Sequence, residues 1–144
     1  MLNMRDNRNG NEKSEKNGRA VMITKDMGET WTEHQTTNST LQEPVCMASL
    51  IKEKFEVNGE VREVVFFSNP ASKYNRDNMT IKASLDDGNT WPSECQVILD
   101  EKEGRGYSCL TRIDDKTLGI LYEGSQADLV FQAIPVADFF RQKR

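Results

Sequence analysis

One short pattern occurs twice in the chain and constrains its fold more than any other feature. Thr24-Lys25-Asp26-Met27-Gly28-Glu29-Thr30-Trp31 and Ser84-Leu85-Asp86-Asp87-Gly88-Asn89-Thr90-Trp91 both read Ser/Thr-x-Asp-x-Gly-x-Thr-Trp. Asp26 and Asp86 are 60 positions apart (86 − 26). A fixed period usually marks one supersecondary unit used again. Each octet follows an apolar or alternating run, so the unit is a strand leading into a turn. The residue types suit that turn. The aspartate can fold its carboxylate onto backbone N–H groups, and the glycine can take a positive φ. The tryptophan can begin the next strand and pack between layers while its indole N–H finds an acceptor. Asp-Gly turns are common in β proteins, but two octets matching at five positions argue against two unrelated turns. Asp26, Gly28, Trp31, Asp86, Gly88 and Trp91 are therefore expected to have structural roles, with Asp26 and Asp86 in exposed hairpin turns on the outer rim.

The rest of the chain reads as short strands separated by turn signals. Candidate strands cover 2–4, 19–24, 45–51, 61–68, 79–84, 95–99, 107–113, 118–122 and 128–134, about nine in all. Stretches 6–18 and 36–43 are polar and read as loops, and 69–78 reads as a long loop opened by Asn69-Pro70. The end, 136–144, reads as one helical turn or a frayed tail. No long helix is indicated. This pattern is all-β and suits a sandwich, a barrel or a propeller, and the repeat favours the propeller. A four-stranded blade takes about 40–50 residues, so the chain supplies about three blades of a fold that needs about 4–8 to close. Residues 1–144 are expected to be part of a larger domain.

Composition removes several function classes. With 144 residues and a net charge of −4 of mixed sign, the chain can build a core but shows no basic footprint for nucleic acid. No apolar run approaches the roughly 18 residues of a membrane span. Met1-Leu2-Asn3-Met4-Arg5 does not read as a signal peptide. Cys46, Cys95 and Cys109 lack CxxC spacing and read as buried small residues rather than metal ligands. The single histidine, His34, reads as a turn or surface residue. No metal or cofactor is expected.

Three residues stand out for chemistry. Arg5 lies in Leu-Asn-Met-Arg-Asp-Asn-Arg, Arg76 just before the strand that enters the second octet, and Tyr107 in Gly-Arg-Gly-Tyr-Ser-Cys-Leu-Thr. Singly, each has a plain explanation: a solvated loop arginine, or a tyrosine that packs its ring. Together with the octets they resemble the sialidase (neuraminidase) family, whose catalytic domain is a six-bladed β-propeller carrying octets of this kind, the Asp boxes. The segments at 2–6, 67–81 and 106–111 appear in the family's order, and the resemblance runs from Leu2 to about Ile134.

The resemblance implies roles. Arg5 and Arg76 are similar to the second and third arginines that clamp the substrate carboxylate, and Tyr107 to the tyrosine that attacks the anomeric carbon. The residue types fit the task. Arginine offers a planar fork of donors that grips a carboxylate and stays charged. A substrate with a carboxylate on its anomeric carbon repels a carboxylate nucleophile, whereas tyrosine is neutral at rest. The implied activity is retaining hydrolysis of terminal α-linked sialic acids from glycoconjugates. The implied partners are sialylated glycans and a missing N-terminal half of the propeller, and the implied location is secreted or periplasmic in a bacterium. In the family the activating glutamate, the first arginine and the acid/base aspartate lie upstream of the second arginine. Neither Asp6 nor Glu123 matches those motifs, so the chain resembles the C-terminal half of such a domain and is expected to be inactive alone. The other readings are a non-catalytic Asp-box propeller module, and an ordinary β domain with chance turns.

Overall fold

The computed structural model describes residues 1–9 and 17–141. Ten strands are present among them, arranged in three antiparallel sheets. The first sheet contains β1 (Leu2–Met4), β2 (Ala20–Ile23) and β3 (Thr32–Glu33). The second, in the order of the chain, contains β4 (Ser49–Val57), β5 (Glu60–Pro70), β6 (Met79–Ser84) and β7 (Gln96–Asp100). The third contains β8 (Ser108–Arg112), β9 (Thr117–Glu123) and β10 (Leu129–Pro135). Within each sheet every strand pairs with its neighbour in sequence. The all-β class read from the sequence is the observed one.

The middle sheet is the centre of the molecule because both of its faces are covered. In β5, Val64 and Phe66 join one apolar cluster while Val65 and Phe67 join another. A strand buried on both sides reads as a continuous apolar run rather than an alternation, which is the pattern of Val64-Val65-Phe66-Phe67. The larger cluster lies between this sheet and β8–β10. It joins Phe55, Phe66, Met79 and Ile81 to Leu118, Ile120 and Phe139, with Phe66 edge-on to both Phe55 and Phe139. The smaller cluster joins Leu41, Val65, Phe67 and Trp91.

Several boundaries differ from the sequence reading, each for a local reason. The strand expected at 45–51 begins only at Ser49, because Val45 has φ 56° and cannot be extended there. It then runs on to Val57 and turns through Asn58-Gly59, both at positive φ (53° and 84°), the two-residue turn that matches strand twist. β5 extends through Asn69 and Pro70, so the loop opens later than Asn69-Pro70 suggests; Pro70 sits at the last position of the strand, where it interrupts no further pairing. The segment after β10 forms a 3₁₀ turn, Val136–Phe139, that buries Val136 and Phe139 instead of fraying; residues 142–144 and 10–16 of the expected tail and loop lie outside the described residues. Cys46 is buried, Cys95 half-buried and Cys109 exposed, since Cys109 falls on the outward phase of β8 between buried Ser108 and Leu110. His34 is buried rather than on the surface. Its Nδ1 lies 2.8 Å from the Thr36 hydroxyl and its Nε2 3.1 Å from Asn89 Oδ1, tying the end of β3 to the second octet.

Candidate active site

Both octets close on themselves through one shared set of hydrogen bonds. In the second, Asp86 Oδ1 accepts from the Thr90 N–H (2.9 Å) and the Ser84 hydroxyl (2.7 Å), and Oδ2 accepts from the Thr90 hydroxyl (2.7 Å). Ser84 Oγ accepts from the Gly88 N–H, and the Trp91 indole donates to the Gly88 carbonyl. In the first, Asp26, Thr24, Gly28, Thr30 and Trp31 repeat every one of these bonds. The residue before each glycine is left-handed, Met27 and Asp87, and so is the glycine. The Thr30 and Thr24 donors hold Asp26 far below the usual carboxylate range. At Asp86 partial burial pushes the other way, and the Thr90 and Ser84 donors outweigh it. The two differ in packing: Trp91 is 8% exposed and edge-on to Phe67, whereas Trp31 is 40% exposed. Trp31 leads directly into β3, but Trp91 is followed by the 3₁₀ turn Ser93–Cys95 before β7 begins. Among the described residues, neither octet shares a hydrogen bond with Arg5, Arg76 or Tyr107.

Arg76 and Tyr107 are brought together. Arg76, in the loop between β5 and β6, lies with its guanidinium carbon 5.7 Å from the centre of the Tyr107 ring. Its Nη1 donates to the Arg105 carbonyl at 2.9 Å, and its own carbonyl accepts from the Gly104 N–H at 2.9 Å. The loop and the segment entering β8 are thus fastened twice. Gly106 makes the approach possible. It has φ +89°, and a Cβ there would lie 2.9 Å from Pro70 Cγ, 3.0 Å from Cys46 Sγ and 3.3 Å from Arg76 Cβ. Tyr107 is 39% exposed. Its backbone N–H donates to Glu123 Oε2 at 3.1 Å, and its hydroxyl has no hydrogen-bond partner among the described residues. Glu123 therefore serves the Tyr107 backbone and not the phenol.

Arg5 follows β1 and is exposed, with no hydrogen-bond or ion-pair partner among the described residues. The adjacent Asp6 does not neutralise it, because Arg8 grips that carboxylate with Nε (2.9 Å) and Nη2 (2.6 Å) and holds it below its ordinary pKa. No hydrogen bond or ion pair joins Arg5 to Tyr107 or Arg76 among the described residues. The connection runs through residues that the sequence reading passed over. Arg19 and Glu43 are buried, and Arg19 Nη1 meets Glu43 Oε2 at 2.6 Å and the Cys46 carbonyl at 2.7 Å. Cys46 Sγ in turn contacts the Gly106 carbonyl at 3.4 Å. No sequence signal marked these residues: Arg19 read as the start of a strand and Glu43 as the end of a polar loop.

The arrangement offers a guanidinium over an accessible phenol, and a second guanidinium with no anionic partner among the described residues. Such a set can hold a carboxylate next to a tyrosine hydroxyl. Among the described residues, no group of three or more His, Cys, Asp or Glu side chains could hold a metal ion, and no helix is long and apolar enough to cross a membrane.

No family model matches the chain. A sialidase of Bacteroides fragilis is 51% identical over 141 residues, which is 98% of this chain and 25% of that sequence. A sialidase of Micromonospora viridifaciens is 39% identical over 90 residues, 61% of this chain and 13% of that protein. Among solved structures, the Hadza microbial sialidase Hz136 superposes with a TM-score of 0.81 at 51% identity, covering 93% of this chain and 24% of that one. The chain spans about a quarter of the length of the Bacteroides fragilis and Hz136 sialidases. By its sequence and its fold, the chain belongs to the sialidase family.

Proposed function

We propose that the chain is part of an exo-α-sialidase and supplies its carboxylate-binding arginines Arg5 and Arg76 and its nucleophile Tyr107. The three sheets are read as blades of a six-bladed propeller whose N-terminal blades are contributed from outside residues 1–144. Sialylated glycans are the substrates, and the enzyme acts in the bacterial periplasm or after secretion. One observation carries this reading: the Arg76 guanidinium lies over the ring of an accessible tyrosine whose hydroxyl is unengaged among the described residues. In the reaction Tyr107 Oη bonds the anomeric carbon as the aglycone oxygen leaves with a proton. Water then attacks from the face that the aglycone left, opposite the tyrosine, and Tyr107 departs with its proton returned, so that two inversions give retention. The acid for the first step and the base for the phenol come from the missing part, so residues 1–144 alone do not turn over.

The experiment is a chimera in which residues 1–144 replace the matching 141-residue stretch of the Bacteroides fragilis sialidase. It should cleave a fluorogenic sialoside. Tyr107→Phe should cut kcat by about 10³-fold or more with the fold intact. Arg76→Lys should raise KM about tenfold or more, because a point charge cannot replace a planar fork. A Tyr107→Phe chimera within tenfold of the parent overturns the nucleophile. The unengaged phenol also suits a non-catalytic binding module, and a folded chimera that binds sialic acid without cleaving it establishes that alternative.

A further inference from the structure

The ion pair between Arg19 and Glu43 is almost wholly inside the protein, 3% and 1% exposed. A buried pair of this kind is a poor source of stability, since desolvating both charges offsets most of their attraction. Its bonds point to a different purpose. Arg19 Nε and Nη2 donate to Asn3 Oδ1 (2.6 Å) and to the Asn3 carbonyl (3.0 Å). Glu43 Oε1 accepts the Asp6 N–H at 2.7 Å. The pair thus grips the backbone on both sides of Arg5. On its other side Arg19 Nη1 and Glu43 Oε2 take the carbonyl and the N–H of Cys46. Between them Val45, a β-branched residue, is held at φ 56°, a conformation that persists only where its surroundings enforce it. Cys46 packs on Gly106, which precedes Tyr107, and a Cβ at Gly106 would meet both Cys46 and Arg76.

We propose that Arg19 and Glu43 are positioning residues, which hold the exposed Arg5 at a fixed spacing from the Arg76–Tyr107 pair through Asn3, Asp6 and Cys46. The inference rests on the sialidase reading of Arg5, Arg76 and Tyr107. Arg76 has its own anchor in the Arg105 carbonyl and the Tyr107 ring. Arg5 has none of its own among the described residues, so the backbone that carries it must be fixed instead.

The test follows the arginine Nε–H resonances of the ¹⁵N-labelled chimera described above, with residues 1–144 keeping their numbers, during titration with N-acetylneuraminate. In the wild type, both Arg5 and Arg76 should shift. Glu43→Gln keeps the shape but places an amide where two sets of donors converge, so it can accept from only one of them. In this variant Arg5 should cease to shift at saturation while Arg76 still does, and affinity should fall about tenfold or more, the loss of one charge-assisted contact. Asn3→Ala removes only the Arg19 Nε acceptor and decides the matter if Glu43→Gln does not fold; it should show the same pattern with a smaller loss. An Arg5 shift and an affinity unchanged in a folded variant overturn the inference. Arg5 and Arg76 responses that fall together also overturn it, since that marks a general loss of structure. A wild type in which neither arginine responds refutes the underlying sialidase reading, and the inference falls with it.

Discussion

Replacing Asp86 by alanine should destabilise the protein by about 2 kcal/mol. Asp86 accepts three hydrogen bonds, from the Thr90 N–H, the Thr90 hydroxyl and the Ser84 hydroxyl, at 2.9, 2.7 and 2.7 Å. A bond to a charged acceptor contributes roughly 1.5–3 kcal/mol and a neutral one roughly 0.5–1.5. The turn is exposed, so water recovers much of what the alanine loses, and the Ser84 hydroxyl still accepts the Gly88 N–H at 2.9 Å. About 2 kcal/mol is what remains of the three. For a chain of this size it corresponds to a fall in Tm of roughly 4–8 °C. Urea unfolding of wild type, Asp86→Ala and Asp86→Asn separates the contributions. The asparagine keeps one acceptor for the Thr90 N–H, and its amide can donate to the Thr90 hydroxyl, so it should cost less than half as much. Asp26→Ala should cost less than Asp86→Ala, because Trp31 is 40% exposed where Trp91 is 8% exposed and packed on Phe67. An Asp86→Ala variant within 0.5 kcal/mol of wild type, below the lower end of a single hydrogen bond's contribution, would show that the turn is held by its backbone alone.

Gly106→Ala should cost about 2–4 kcal/mol, since it adds a Cβ at φ +89° within 3.0 Å of Cys46 Sγ and closer still to Pro70. Urea unfolding measures it, and a cost below about 1 kcal/mol would mean the segment before β8 can shift freely. Asp26 and Asp86 are both held below the ordinary carboxylate range. Their contribution is therefore fully present above the unfolded value near 4 and is lost as pH falls through the folded values. The stability gap between wild type and Asp86→Ala should stay level from pH 7 to 5 and narrow below about pH 4; a gap that closes between pH 7 and 5 contradicts the assignment.

What the sequence made legible was local or repeated. The octets announced their turns because Asp, Gly, Thr and Trp sit at fixed offsets and bond within eight residues. β5 announced itself by its apolar run, β6 by its alternation, and β8 and β9 by the Asp114-Asp115-Lys116 turn between them, where the Lys116 N–H donates to Asp114 Oδ1 at 2.8 Å. The start of β4 was not legible, since the positive φ at Val45 contradicts the preference of its residue type. The next residue, Cys46, is held by Arg19 and Gly106, far away in sequence. The burial of His34 was hidden for the same reason: its partner Asn89 lies 55 positions on. Of the candidate site, the residue types Arg5, Arg76 and Tyr107 could be singled out. The contact between Arg76 and Tyr107, and the buried pair behind Arg5, are tertiary facts without a periodic signature.

The two arginines are also prepared differently, and this bears on how a carboxylate would be taken up. Arg76 is already ordered by the Arg105 carbonyl and the face of Tyr107, so little side-chain freedom remains for it to lose. Arg5 is exposed and unengaged among the described residues, and fixing such a side chain costs up to about 2 kcal/mol. The fixed backbone on either side of Arg5 lowers that cost only at its root, through Asn3 and Asp6. On the proposed reading, an anion arriving at the site would find one guanidinium in place and would recruit the other. The difference between the two is the ordering of Arg5, and it is the term that a rigid upstream neighbour packed against Arg5 would remove.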